Sequence, residues 1–344
     1  MDHRTRAVRR QEPFMLRILS IDGGGIRGII PLTWLMALEE QTGQRTAELF
    51  DLVVGTSAGG MAALALVSPQ HNGHGYSAEE VRRLNLDSAS QVFPRFPGHP
   101  AHAAAPAGAP RYSAEPLKHY LDEALGDLPL SAAVRPVAVT TCDLAHTEAL
   151  HFAGGGLEPS VLGDAPMALA AQATASLPRY FPAVPFTDTE GTARQLVDGG
   201  LAADDPALLG YSLGTVLPEA VDGVLMVSLG TGTSAGNRNA GLRLGAEQTQ
   251  QTPELQVLEK DLSMVLSGPG QVARDCLELI LGDRYVRIQT ELLPDASHDS
   301  DNADEENLQR LIATAERMVR DTAADLDRLA RLLPQGPGPW LAGE

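Results

Sequence analysis

Apolar and polar positions fall into a repeating block pattern from residue 16 onward. LRILSI (16–21) is an apolar-rich run, and DGGGIRG (22–28) is a glycine turn. IIPLTWLMALEEQTG (29–43) then takes up a helical period, with Pro31 inside the first turn and Gly43 as the stop. The block repeats at once. LFDLVV (49–54) predicts a second strand, GTSAGG (55–60) a second glycine turn, and MAALALV the start of the next helix. Two successive strand–turn–helix units of this kind predict an α/β fold. The expected architecture is a three-layer α/β/α sandwich around a mainly parallel central sheet.

Further along, a helix is expected over 77–86. Residues 87–110 include the Pro/Ala/Gly-rich stretch PRFPGHPAHAAAPAGAP, which has no period and reads as a lid or binding loop, with Val92, Phe93 and Phe96 as its apolar side chains. Regular structure resumes with a helix at 113–125 and strands at PVAVTTCDL (136–144) and EALHFA (148–153). DAPMALAAQATA (164–175) predicts a helix with Asp164 as cap and Pro166 just inside. QLVDGG (195–200) and VLMVSLGTG (224–232) read as strand ends, with helices around 253–282, a strand at YVRIQTEL (285–292) and a charged helix over 303–333. PDASHDSDNADEEN (294–307) reads as an acidic, low-complexity loop whose spacing fits no EF-hand. The implied organisation is a flexible arm (1–13), a single catalytic domain (14–335) and a short tail (336–344).

Composition narrows the function classes. The 344 residues carry 26 Lys and Arg against 44 Asp and Glu, a formal charge of −18. So acidic a body repels phosphate backbones, which argues against a nucleic-acid polymer as partner and against purely electrostatic docking on anionic lipid. Cys142 and Cys276 both lie in apolar runs and read as buried, reduced thiols. The run Met15 to Ile21 is too short for a signal core, and no stretch approaches the roughly 20 apolar residues of a membrane span. A cytoplasmic protein with at most peripheral membrane contact is expected.

Three glycine turns carry candidate chemistry. GTSAG (55–59) matches G-x-S-x-G between a strand and a helix, the setting of a nucleophile elbow, with Gly55 and Gly59 leaving room for neighbouring backbone around Ser57. The following helix would direct its N-terminal dipole at the reacting centre. DGGGIRG admits two readings. Gly23, Gly25 and Gly28 satisfy G-x-G-x-x-G after a strand, but the second strand lacks a terminal carboxylate, since Asp51 sits at its start. The other reading is a nest of backbone N–H groups beside Ser57, supported by Arg27. LVDGG (196–200) places Asp198 at a strand end, followed by Gly199 and Gly200, where it can lie beside the serine. After Asp198 the chain offers only His298, inside the acidic loop, while His146 and His151 precede it. That order disfavours a triad and favours a Ser–Asp dyad, whose carboxylate must be made basic by desolvation.

Taken together, DGGGIRG, GTSAG and DGG in this order resemble the patatin-like phospholipase family. ALAAQATASLPRYFPAV (168–184) and GTG (230–232) resemble its intervening segments, and Ala58 replaces the threonine frequent there. The resemblance implies Ser57 as nucleophile, Asp198 as general base, and an oxyanion hole from the N–H groups of Gly23, Gly24 and Gly25 with Arg27 in support. It implies calcium-independent hydrolysis of fatty acyl esters with no cofactor or metal, at a lipid or membrane substrate. The head of the chain, SIDGGGIRGIIP with FDLVVGTSAGG, also resembles phospholipase effectors of bacterial anti-phage systems, which implies a cyclic nucleotide as activator. A non-catalytic nucleotide-binding module is the third reading.

Overall fold

The computed structural model describes residues 15–69, 73–94, 109–217, 220, 223–233 and 268–333. The arm at 1–13, most of the expected lid, the expected helical start near 253 and the tail lie outside the described residues. The strands are β1 (Leu16–Ile21), β2 (Leu52–Gly55), β3 (Val137–Asp143), β4 (Glu148–Gly154), β5 (Val184–Thr187), β6 (Ala193–Asp198), β7 (Val224–Leu229) and β8 (Tyr285–Ile288). They form one mixed sheet in the order β5-β6-β3-β2-β1-β7-β8, with β4 paired to β3 off that path. The run from β3 to β8 is parallel; β4, β5 and β6 are added antiparallel.

Because side chains alternate across a strand, β1 feeds two cores at once. Leu19 and Ile21 join the larger core, while Leu16 and Ile18 join the smaller one on the other face. The larger core lies under helices α1 (Ile29–Thr42), α2 (Ala58–Val67), α3 (Ala78–Val92), α4 (Glu115–Leu125) and α5 (Met167–Ala175). The smaller is covered by α6 (Ala207–Thr215) and α7 (268–281). Helices α8 (Glu305–Asp321) and α9 (Ala323–Leu332) pack against α1. The expected sandwich is present, with both faces apolar, which is why the central strands read as continuous apolar runs.

The edge of β3 decides where functional groups meet. β4 takes one full edge of β3. The other edge is divided: β2 pairs with Val137–Val139 and β6 pairs with Thr141–Asp143. Since β2 runs parallel to β3 and β6 antiparallel, their carboxyl ends point at each other. Gly55 sits opposite Val139 and Asp198 opposite Thr141, two β3 positions or about 7 Å apart. The gap is bridged at Thr140, whose Oγ1 lies 2.7 Å from Thr56 Oγ1.

Several boundaries differ from the sequence reading, each for a local reason. Residues 49–51 are not strand: Thr46–Leu49 forms a helical turn, and Asp51 is fully buried in an ion pair with Arg17 (Nη2–Oδ1 2.6 Å, Nε–Oδ2 2.8 Å). Asp164 does not cap α5; it binds the Ser131 amide and hydroxyl at 2.7 and 2.6 Å, leaving Pro166 at the cap position. The helix expected to end at 86 continues to Val92, so the first residues assigned to the lid are helical; Phe96 lies outside the described residues. The 303–333 helix is two helices that break at Thr322, where the hydroxyl accepts a 3.0 Å bond from Trp34 Nε1. The short edge strand β5, with Pro185 in it, has no clear period and escapes the sequence reading. Cys142 is buried as expected, whereas Cys276 is only half-buried.

Asp51→Ala strands the buried Arg17 guanidinium, and is expected to lower unfolding stability by about 3–5 kcal/mol in urea denaturation. An unchanged midpoint would show that the pair is not a structural anchor.

Candidate active site

Ser57 sits between β2 and α2 with φ 54° and ψ −123°, a left-handed conformation that a non-glycine residue holds only when its surroundings impose it. Three contacts do so here. The Ser57 N–H donates to Thr174 Oγ1 on α5 at 2.9 Å. Thr56 donates its hydroxyl to the Ala203 carbonyl at 2.7 Å. The first turn of α2 also lies directly on β1: a Cβ at Gly59 would fall 2.3 Å from the Ile21 carbonyl oxygen. The elbow is therefore pinned from both sides, and the unpaired N–H groups opening α2 face the serine end of the helix.

Asp198 is 2% exposed and ends β6. Its amide donates to the Ser176 carbonyl at 3.0 Å, and its Oδ1 accepts the Gly200 N–H at 2.7 Å. The Ser57 side chain lies close enough to the same carboxylate to favour its charged form. Burial is the main influence on this group and raises its pKa to about 7, against the lowering effect of Ser57 and the Gly200 N–H. Gly199 is required by close approach, since a Cβ there would meet Thr140 Oγ1 at 2.1 Å.

The glycine loop lies beside this pair. The Gly23 N–H is committed to the Asp204 carbonyl at 3.0 Å, so it is not an available donor. Among the described residues, the N–H groups of Gly24 and Gly25 have no partner. Their directions are set by the carbonyls across each trans peptide, which point opposite to the N–H. The Gly23 carbonyl accepts from Thr231 Oγ1 at 2.7 Å. The Gly24 carbonyl accepts from the Arg27 amide at 3.2 Å and from Arg27 Nε at 3.4 Å. Arg27 is itself buried and reaches the Gly232 carbonyl, so it orients the loop from behind rather than pointing a charge at the serine from solvent. Gly25 holds φ +58°, and a Cβ there would strike the Ser300 backbone.

Ser300 belongs to the segment read from sequence as an acidic, low-complexity loop, and that segment is not simply a charged run open to solvent. Ser300 and Asp301 are buried; the Ser300 carbonyl accepts the Ile26 N–H at 2.8 Å, and Asp301 binds Arg111 at 2.5 Å and the Tyr112 hydroxyl at 2.8 Å. The segment packs on the glycine loop at Gly25 and Ile26. His298 is half-buried rather than solvated. His146 lies outside the site and binds Asp143 at 2.5 Å, and half-buried His151 is held below its ordinary pKa by burial.

Asp204, which the sequence reading passed over, also faces the glycine loop: a Cβ on Gly23 would lie 2.3 Å from its Oδ1. Burial first, then the Asp22 and Asp198 charges, raise its pKa to about 8, with Arg27 opposing. Among the described residues no His, Cys, Asp and Glu cluster is arranged to hold a metal ion.

A cleft opens from Ser57, Gly25 and Ile26 between helices α2, α3 and α4. It encloses about 550 Å³ of empty space, part of it open to solvent, and is walled by Met61, Val92, Phe93, Leu117 and Phe181. Val92 and Phe93, expected on a lid, are instead part of this wall.

A profile described as "Patatin-like phospholipase" matches residues 19–211. The chain belongs to the patatin-like phospholipase family. It is 30% identical to "Patatin-like protein 2" of Arabidopsis thaliana over 90% of this chain and 84% of that one. It is 29% identical to "Patatin-07" of Solanum tuberosum over 89% and 84%. Among solved structures, human GIVD cytosolic phospholipase A2 aligns with TM-score 0.43 and 13% identity, over 94% of this chain and 60% of that one. At the level of the family, the activity is lipid acyl hydrolysis. No described helix is long and apolar enough to cross a membrane.

Thr174→Val keeps the shape of a fully buried side chain but removes the acceptor for the Ser57 N–H. It is expected to cost about 1–3 kcal/mol in urea denaturation, because a buried donor is left unpaired. No loss would mean that the elbow does not depend on this bond.

Proposed function

We propose that this patatin-like protein hydrolyses fatty acyl esters of lipids through a Ser57–Asp198 dyad. The observation that carries the reading is the buried Asp198 carboxylate, raised to about 7 and close beside a serine held on a left-handed elbow. A base of that pKa is half-ionised at neutral pH and basic enough to take the serine proton as the bond forms.

Asp198 removes the Ser57 proton while Oγ attacks the ester carbonyl carbon. The tetrahedral oxyanion is met by the Gly24 and Gly25 N–H groups and by the N-terminus of α2. The leaving alkoxide takes the proton from Asp198 as the C–O bond breaks, leaving an acyl-serine. Water, deprotonated by the same carboxylate, then attacks the acyl carbon; as the acyl C–O bond to Ser57 breaks, Oγ takes that proton back from Asp198, releasing fatty acid and restoring the Ser57 hydroxyl and the carboxylate. No histidine is required at any step, and Arg27 and Thr231 act by orienting the amides.

Ser57→Ala and Asp198→Asn are each expected to lower phospholipid and p-nitrophenyl ester hydrolysis by about a thousandfold or more. Fluorophosphonate labelling of wild type at Ser57 checks the nucleophile directly. Full turnover in either variant contradicts the dyad. Running the wild-type assay with and without cyclic di- and trinucleotides tests whether this chemistry is under an activator.

A further inference from the structure

The cleft beside Ser57 is not uniformly apolar. Helix α3 presents Asn85, Ser88, Ala89 and Val92 to it, the spacing of one helical face. The helix begins next to the end of α2, where the Tyr76 N–H donates to the Ala65 carbonyl at 3.2 Å. Its other end, at Phe93, packs on Tyr112 and Phe181, with ring centroids 5.5 and 5.9 Å away. Tyr112 binds Asp301, whose neighbour Ser300 lies on Gly25, so the Phe93 end is on the glycine-loop side of the cleft and Asn85 is farther from that loop along the helix. Val92 lies seven positions beyond Asn85, about 10 Å along the helix axis. An acyl chain entering from Ser57 thus meets Met61, Val92 and Phe93 before it meets an amide.

At that depth the Tyr120 hydroxyl donates to Asn85 Oδ1 at 2.8 Å. Both residues line the cleft. The second polar atom of the Asn85 amide has no hydrogen-bond partner among the described residues. An all-methylene chain that displaces water from this point leaves that group unpaired, which disfavours it. A hydroxyl on the chain supplies what is missing. It both donates and accepts, so it satisfies the amide whichever of its two ends faces the cleft.

Resting on the acyl-hydrolase reading above, we propose that this cleft selects acyl chains bearing a mid-chain hydroxyl, with Asn85 and Tyr120 as the specificity-determining pair. The pair sits well away from the ester carbonyl, so it acts on the choice of chain and not on the chemical step. Discrimination of this kind comes from the cost of burying the amide against a chain that cannot bond it.

The test compares ricinoleoyl and oleoyl phosphatidylcholine, which differ by the chain hydroxyl, with wild type, Asn85→Leu and Tyr120→Phe. Wild type is expected to favour the ricinoleoyl lipid in kcat/KM by about tenfold or more. Asn85→Leu is expected to erase that ratio by losing the preference for the ricinoleoyl substrate. Tyr120→Phe, which frees the amide end that Tyr120 now holds, should reduce the ratio less. Because the ratio is taken within each protein, partial loss of folding cancels. Equal cleavage of both lipids by wild type, with a ratio unmoved in Asn85→Leu, overturns the hydroxyl selectivity alone. Cleavage of neither lipid by wild type overturns the hydrolase reading, and this proposal with it.

Discussion

Everything at the site depends on one edge of one strand. β3 gives half of an edge to β2 and the other half to β6, and the two strands run at each other until a single residue, Thr140, separates their pairings. That constraint sets the distance between Ser57 and Asp198. It also buries the carboxylate, because the end of β6 is enclosed by β3, by Ser176 and by the turn at Gly200. In the proposed mechanism burial supplies the chemistry: an aspartate with an ordinary pKa would be a poor base toward serine, whereas one raised to about 7 is well matched to neutral pH.

The glycine loop is built on a related principle. Two amides are left free because the carbonyls across their peptides are held elsewhere, by Thr231 and by the buried Arg27. The third amide is used to tie the loop to Asp204. If these amides receive the oxyanion as proposed, the site needs no cation facing the substrate. The positive charge lies behind the loop, where it holds geometry, and the acidic character of the chain does not reach the reacting carbonyl through an exposed charge. The buried acids nearby carry their own compensation: Arg287 binds Asp22 and lies 3.5 Å from Asp205.

The local parts of this design were legible in the sequence. Apolar runs ending in glycine turns gave β1, β2, α1 and α2, and G-x-S-x-G after a strand singled out Ser57. Asp198 was legible as a strand-end carboxylate, but the reason it meets the serine was not, because a divided edge is a property of pairing between residues far apart in the chain. Thr174, Thr231, Asp204 and Ser300 were missed for the same reason. Each acts through a contact spanning many residues, and a buried threonine or a turn aspartate has no distinctive pattern of its own. The segment 294–307 was misread because its charges suggested solvent, whereas Asp301 is paired with Arg111 and Tyr112 and its neighbour supports Gly25. Asp204 stood next to the DGG motif and could have been found by asking which carboxylates a short turn carries back toward the first glycine loop.

The central claim is that a buried Asp198, and no histidine, sets the reactivity of Ser57. The most direct measurement is the pH dependence of the second-order rate of fluorophosphonate labelling at Ser57, in wild type and in Asp198→Asn. Because the folded pKa is raised and the base must be deprotonated, the wild-type rate is expected to climb about tenfold per pH unit below the midpoint and level off above pH about 7. The Asp198→Asn protein should label far more slowly and without that inflection. A wild-type profile with no inflection near 7, or labelling of Asp198→Asn at the wild-type rate, would contradict the account.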